Sequence, residues 1–115
     1  MSSRHQQGGT CRERRLQARL DELERSTRWE VVATRRRDDC ATPECYDGAR
    51  PDYVARGRDG EELLGVVSRA GDRSAATEER HETLREHVSC APLREVEVVL
   101  YGAGEQETDD FLAWL

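Results

Sequence analysis

Arg50-Pro51-Asp52-Tyr53-Val54-Ala55-Arg56-Gly57-Arg58-Asp59-Gly60-Glu61-Glu62-Leu63-Leu64-Gly65-Val66-Val67-Ser68-Arg69 is the stretch on which the fold turns. Two runs suited to β-structure flank Gly57-Arg58-Asp59-Gly60, whose Asp-Gly dipeptide favours a tight reversal. The stretch therefore predicts a β-hairpin with an aspartate at the start of its first strand. Gly65 inside the second strand weakens it and signals close approach of a helix or another backbone.

Working outward on the N-terminal side, Arg12 to about Thr27 contains no Gly or Pro and places Leu16, Leu20 and Leu23 at helical spacing. This predicts an amphipathic helix packed on one side, which Thr10 is placed to cap. Trp29–Thr34 reads as a strand with Trp29, Val31 and Ala33 on one face. Arg35 to Gly48, with three arginines, Pro43 and two cysteines, reads as a surface loop. Residues 1–10 are polar and patternless, and a mobile tail is expected there.

On the C-terminal side, Ser74 or Thr77 starts a second helix carrying Thr77, His81, Leu84, Val88 and Ala91 on one face. Pro92 ends it near Cys90. Glu95–Tyr101 is the clearest strand in the chain. Gly102 and Gly104 then lead into Thr108–Leu115, a short terminal helix whose Phe111 and Trp114 either cover the sheet edge or dock into a partner. The order is αβββαβ: an α/β (α+β) single domain over residues 11–115, with a central mixed four-stranded sheet flanked by helices.

Composition bounds what such a domain can be. At 115 residues the chain supports one modest core, and 36% hydrophobic against 37% charged residues makes it polar. All 18 basic residues are arginine; lysine, isoleucine and asparagine are absent, as in a GC-rich or salt-adapted source. The net charge of −6 is unevenly spread. Residues 1–37 hold ten arginines against five acids, and the remainder eight against nineteen. The basic front includes Arg12, Arg15, Arg19, Arg35, Arg36 and Arg37, which could neutralise nucleic-acid phosphates or pair with the chain's own acids. No apolar run approaches a membrane span, and residues 1–10 lack the apolar core of a signal peptide. A cytoplasmic chain with four reduced cysteines is expected.

The αβββαβ order, with Arg50-Pro51-Asp52 opening the second strand, resembles the core of the PD-(D/E)XK nuclease superfamily, which includes restriction endonucleases and archaeal Holliday-junction resolvases. The resemblance spans about residues 12–102. It implies that Asp52 matches an aspartate which, with a Glu-x-Lys on the third strand, holds Mg²⁺ against a phosphate. The corresponding positions here are Val66 and Ser68, which supply neither carboxylate nor amine. Moving the alignment by one gives Val67 and Arg69, again without the acid. Glu61 and Glu62 lie at the turn, roughly four to six residues too early. Within this resemblance, Glu13, Glu22 or Glu24 of the first helix match an accessory acid; Glu79 or Glu82 of the second could replace a ligand, and Arg69 could clamp a phosphate. Alternatively, Asp52 simply hydrogen-bonds its own backbone.

Cys40 and Cys45 also have the residue types for half a zinc site, which His81, His87 or Cys90 would complete. Against this, a histidine on an apolar helix face such as His81 is more often packed and hydrogen-bonded. The sequence thus leads to a nuclease-like core without its catalytic Glu-x-Lys and without a cofactor, binding DNA or a protein partner. The alternatives are an Mg²⁺-dependent nuclease with relocated ligands and a zinc-stabilised interaction module.

Overall fold

The computed structural model describes residues 10–102. The expected tail up to residue 9, the helix from Thr108 and the placement of Phe111 and Trp114 lie outside that range. The elements are α1 (Cys11–Arg25), β1 (Trp29–Thr34), β2 (Tyr53–Gly57), β3 (Glu62–Arg69), α2 (Ala75–Ser89) and β4 (Arg94–Tyr101). The strands lie in the order β1-β2-β3-β4. β1 pairs antiparallel with β2 and β2 antiparallel with β3, and β4 joins β3 in parallel through the α2 crossover. This is the αβββαβ core with a mixed four-stranded sheet that the residue pattern predicts. Among the described residues, no helix is long and apolar enough to cross a membrane.

Each helix begins on a side-chain cap. Thr10 Oγ1 accepts from the Glu13 N–H at 3.1 Å while the Thr10 N–H donates to Glu13 Oε1 at 3.0 Å, a reciprocal capping box. Ser74 caps α2 by accepting from the Thr77 N–H. The two helices cover opposite faces of the sheet. Leu16, Leu20 and Leu23 of α1 pack with Val31, Tyr53, Ala55, Leu63, Val67 and Val99. Leu84 and Val88 of α2 pack with Ala33, Ala49, Val54, Leu64 and Val66. Strand β3 has a helix on each face and a strand on each side, so Leu63 through Ser68 are all buried.

Two sequence expectations are corrected here. Val31 and Ala33 do not share a face, because a β-bulge between them inserts Val32 into β1. Val31 joins the α1-side core, whereas Ala33 and Val32 turn toward α2. Gly65, for its part, is approached by a side chain, not by a helix or a backbone. The Tyr53 ring lies across Gly65, and a Cβ there would overlap the ring. Tyr53 pairs with Gly65, and Gly65 pairs with Glu97. The ring thus crosses from β2 over β3, and its hydroxyl donates to the Glu97 carboxylate on β4. Arg19 of α1 closes the row, donating from Nε and Nη2 to the two Glu97 oxygens at 2.8 Å each.

Burial pushes the Glu97 carboxyl up, but hydrogen bonds from Arg19 and Tyr53 outweigh it and hold it below the ordinary carboxylate range. Burial and the Glu97 contact raise the Tyr53 hydroxyl well above its usual range. A carboxyl with a depressed folded-state pKa contributes stability above its unfolded pKa and loses it as pH falls through the folded one. Urea titrations should therefore show unfolding free energy decreasing as pH drops below about 4.5, and Glu97→Gln should flatten that slope. Gly65→Ala should cost about 2–5 kcal/mol, from overpacking plus loss of the hydroxyl–carboxylate bond. In a Tyr53→Ala background the same change should cost far less; additive effects would disprove the ring–glycine contact.

Candidate functional site

Asp52 sits where β1 ends and β2 begins. Its own N–H donates to Gly65 O at 2.7 Å, the last backbone rung between β2 and β3. One residue pair further along β3, the Val67 N–H points toward β2 with no strand backbone left to meet it. The Asp52 side chain fills that position, with Oδ2 accepting from Val67 N at 2.7 Å. Unlike the expected local turn, the carboxylate caps the backbone of a neighbouring strand.

The remaining capacity of the carboxylate is taken by guanidinium groups from both helices. Arg12 of α1 pairs with Oδ1, and Arg80 of α2 lies 3.4 Å from Oδ2. Arg80 also donates to the Arg50 carbonyl, from Nε at 3.0 Å and from Nη2. The Asp52 side chain is only 12% exposed. A carboxylate in that position is costly without such partners and well satisfied with them.

Above Asp52 opens a cleft of about 740 Å³ between α1, the β1–β2 loop and the first turns of α2. Its lining includes five arginines, at positions 12, 35, 36, 50 and 80, against the acids Glu13, Asp47, Asp52 and Glu79. The cleft is thus locally arginine-rich in a chain of net charge −6. Arg35 is exposed there and has no ion-pair partner among the described residues. Glu13 is tied into the Thr10 cap, whose backbone N–H, first, and hydroxyl hold its carboxyl below the ordinary range.

Other arginines of the basic front pair largely with the chain's own groups. Arg19 holds Glu97, and Arg37 reaches Glu24 at 2.5 Å and Asp21 at 3.6 Å. Arg36 contacts Gln17 and Glu13, and Arg15 donates to the Leu100 carbonyl at 3.2 Å. Of the six arginines singled out in the sequence, the cleft gathers Arg12, Arg35 and Arg36. Arg50 and Arg80 join them unannounced: Arg80 lies on a helix 28 residues beyond Asp52, and no local pattern ties it to the aspartate.

Of the residues that could serve an Mg²⁺ site, the cleft brings together Asp52, Glu13 and Glu79, while the third-strand positions lie elsewhere. Val66 is fully buried in the α2-side core, and Ser68 Oγ lies 2.8 Å from His81 Nε2. Burial, then the nearby Arg85 and Arg80 charges, lower the His81 pKa, so its ring is neutral at pH 7 and acts as a packed hydrogen-bonding group. Glu79 lines the cleft, whereas Glu22, Glu82 and Arg69 do not. No group of three or more His, Cys, Asp or Glu side chains among the described residues is arranged to hold a metal ion. Asp52 itself is already partnered by Arg12, Arg80 and the Val67 N–H.

The zinc candidates do not converge either. Cys40 packs against the α1-side core, and burial pushes its thiol up, away from the thiolate a metal needs. Cys45 accepts from Arg50 Nε at 3.3 Å. His87 lies on α2, its ring tilted against Tyr46 with centroids 4.6 Å apart, Nε2 facing Arg94 and Nδ1 facing Asp47. Cys90 is exposed at the C-cap of α2.

Replacing Asp52 with alanine should orphan the Val67 N–H and leave two guanidinium groups facing each other. The expected loss is about 1–3 kcal/mol, read as a lower urea midpoint. An unchanged midpoint would remove the strand-capping role.

No family model matches the chain, and no curated protein or solved structure matches it. What the cleft can do follows from its own residues.

Proposed function

We propose that this chain is a non-catalytic binding domain on a nuclease-like core, whose arginine-lined cleft receives the phosphate backbone of nucleic acid. One observation carries the reading. The aspartate that would anchor a metal is committed to Arg12, Arg80 and the Val67 N–H, while the cleft above it gathers five arginines against four acids. Guanidinium is permanently charged and forks onto phosphate oxygens in two-point contacts, so it suits binding and is unsuited to removing a proton from water. Backbone contacts of this kind position a nucleic acid without reading its sequence.

Arg35 is the outermost contact in this scheme, and Arg12 and Arg80 form its floor. Asp52 holds the floor arginines apart and keeps them from collapsing onto other acids. A protein partner with an acidic segment would meet the same surface, but the two-point fork of guanidinium onto phosphate oxygens favours a nucleic-acid backbone.

Binding to duplex, single-stranded and branched DNA, titrated with salt, tests the proposal. Affinity should fall steeply as salt rises, and Arg35→Ala should lower the slope of log K against log salt by about one. No binding at low ionic strength would remove nucleic acid. The same DNAs incubated with Mg²⁺ or Mn²⁺ should stay intact; cleavage abolished by Asp52→Ala would establish a nuclease instead.

A further inference from the structure

The two edges of the sheet are treated differently by the chain. At the β1 edge the ladder is broken by the bulge, and the following loop closes over it. Thr34 N donates to Ala41 O at 2.8 Å, and Ala33 bridges to Ala41. Bulges and covering loops are standard protections against edge-to-edge pairing. β4 has neither. It is eight residues long, pairs with β3 at every position without a bulge, and contains no proline.

The direction of its free groups follows from the ladder. Leu93 O accepts from Glu62 N, and Tyr101 O accepts from Ala70 N, so odd-numbered residues of β4 point their backbone groups at β3. Val96, Val98 and Leu100 therefore aim N–H and C=O outward. The only described residue seen on that row is Arg15, whose Nε donates to Leu100 O. A carbonyl has two lone pairs, so this contact leaves Leu100 able to accept again. Side chains of the same three residues lie on the α2 face, with Val96 and Val98 half-buried and Leu100 51% exposed. Leu93, at the start of the strand, is 54% exposed; these are the two exposed large hydrophobic residues among those described.

We propose that β4 is a homodimerisation edge, on which a second copy of this chain pairs its own β4 antiparallel to give a continuous eight-stranded sheet. Charge selects the register. A two-fold axis at Val96 sets Glu95 opposite Glu97, and one at Glu97 sets that residue opposite itself; both place like charges face to face. An axis at Val98 sets Val98 against Val98, Val96 against Leu100, Glu97 against Val99 and Glu95 against Tyr101. That register has the longest overlap within the described residues that is free of an acid–acid pair, and it brings the apolar row onto itself. Self-complementarity of this kind is what a two-fold interface requires. Arg94 and Gly102 mark its two ends.

Sedimentation velocity of the full chain across the micromolar range tests the inference. The wild type should show a concentration-dependent dimer. Val98→Pro removes an N–H that β3 does not use, so the monomer fold should survive, as judged by circular dichroism and cooperative melting. Its dimer should be about 10–100-fold weaker, from two lost hydrogen bonds. Leu100→Glu, at an exposed position, should weaken it as well. A wild type that stays monomeric, as coverage of the edge by residues 103–115 would produce, overturns the proposal. So does a dimer that both substitutions leave unchanged.

Discussion

The sheet is held to its first helix by one ring lying over a missing side chain. Tyr53 can reach Glu97 only because β3 carries no Cβ at Gly65, and Glu97 can be drawn inward only because Arg19 neutralises it. The row ties β2, β3, β4 and α1 together in one line of contacts. A glycine in a central strand sacrifices packing and backbone entropy. Here an aromatic ring restores the packing, and the carboxylate gives the ring's hydroxyl a partner it would otherwise lack in the core.

A second satisfied carboxylate organises the other end of the sheet. Asp52 supplies the rung that β2 is too short to provide, and in doing so becomes the anchor for arginines from both helices. Under the proposed function, structural and binding roles merge at that point. Two of the cleft's five arginines, Arg12 and Arg80, are there because the fold needs guanidinium groups to neutralise Asp52. Once there, those groups also face solvent and whatever anion enters. A domain of net negative charge thereby keeps one arginine-rich concavity.

The element order was legible because its signals are local. Leucines at helical spacing, Ser74 and Thr10 as caps, and Asp59-Gly60 at the reversal each specify geometry within a few residues. The bulge at Val32 was not legible, since Trp29-Glu30-Val31-Val32-Ala33-Thr34 alternates well enough to pass for a regular strand. Gly65 advertised a close approach, but naming Tyr53 as its neighbour required the β2–β3 register. In the candidate site, Asp52 stood out by its place after Pro51, whereas its partners Arg12 and Arg80 come from 40 and 28 residues away. Such long-range ion pairs leave no mark on sequence periodicity.

The bulge also sets the phase of everything that follows it. The extra residue puts Thr34 rather than Ala33 opposite Tyr53, and the Thr34 hydroxyl donates to the Asp52 carbonyl at 3.1 Å and accepts from the Arg36 N–H at 3.2 Å. In an unbulged β1 a methyl group would stand at that station, and the chain would leave the sheet rotated by one side-chain alternation. Arg35 and Arg36, which both line the cleft, would then leave the sheet one step out of their present register. A single-residue slip in an edge strand thus acts as the aiming device for the cleft's mouth, and insertions or deletions in β1 would redirect its charge without touching the core.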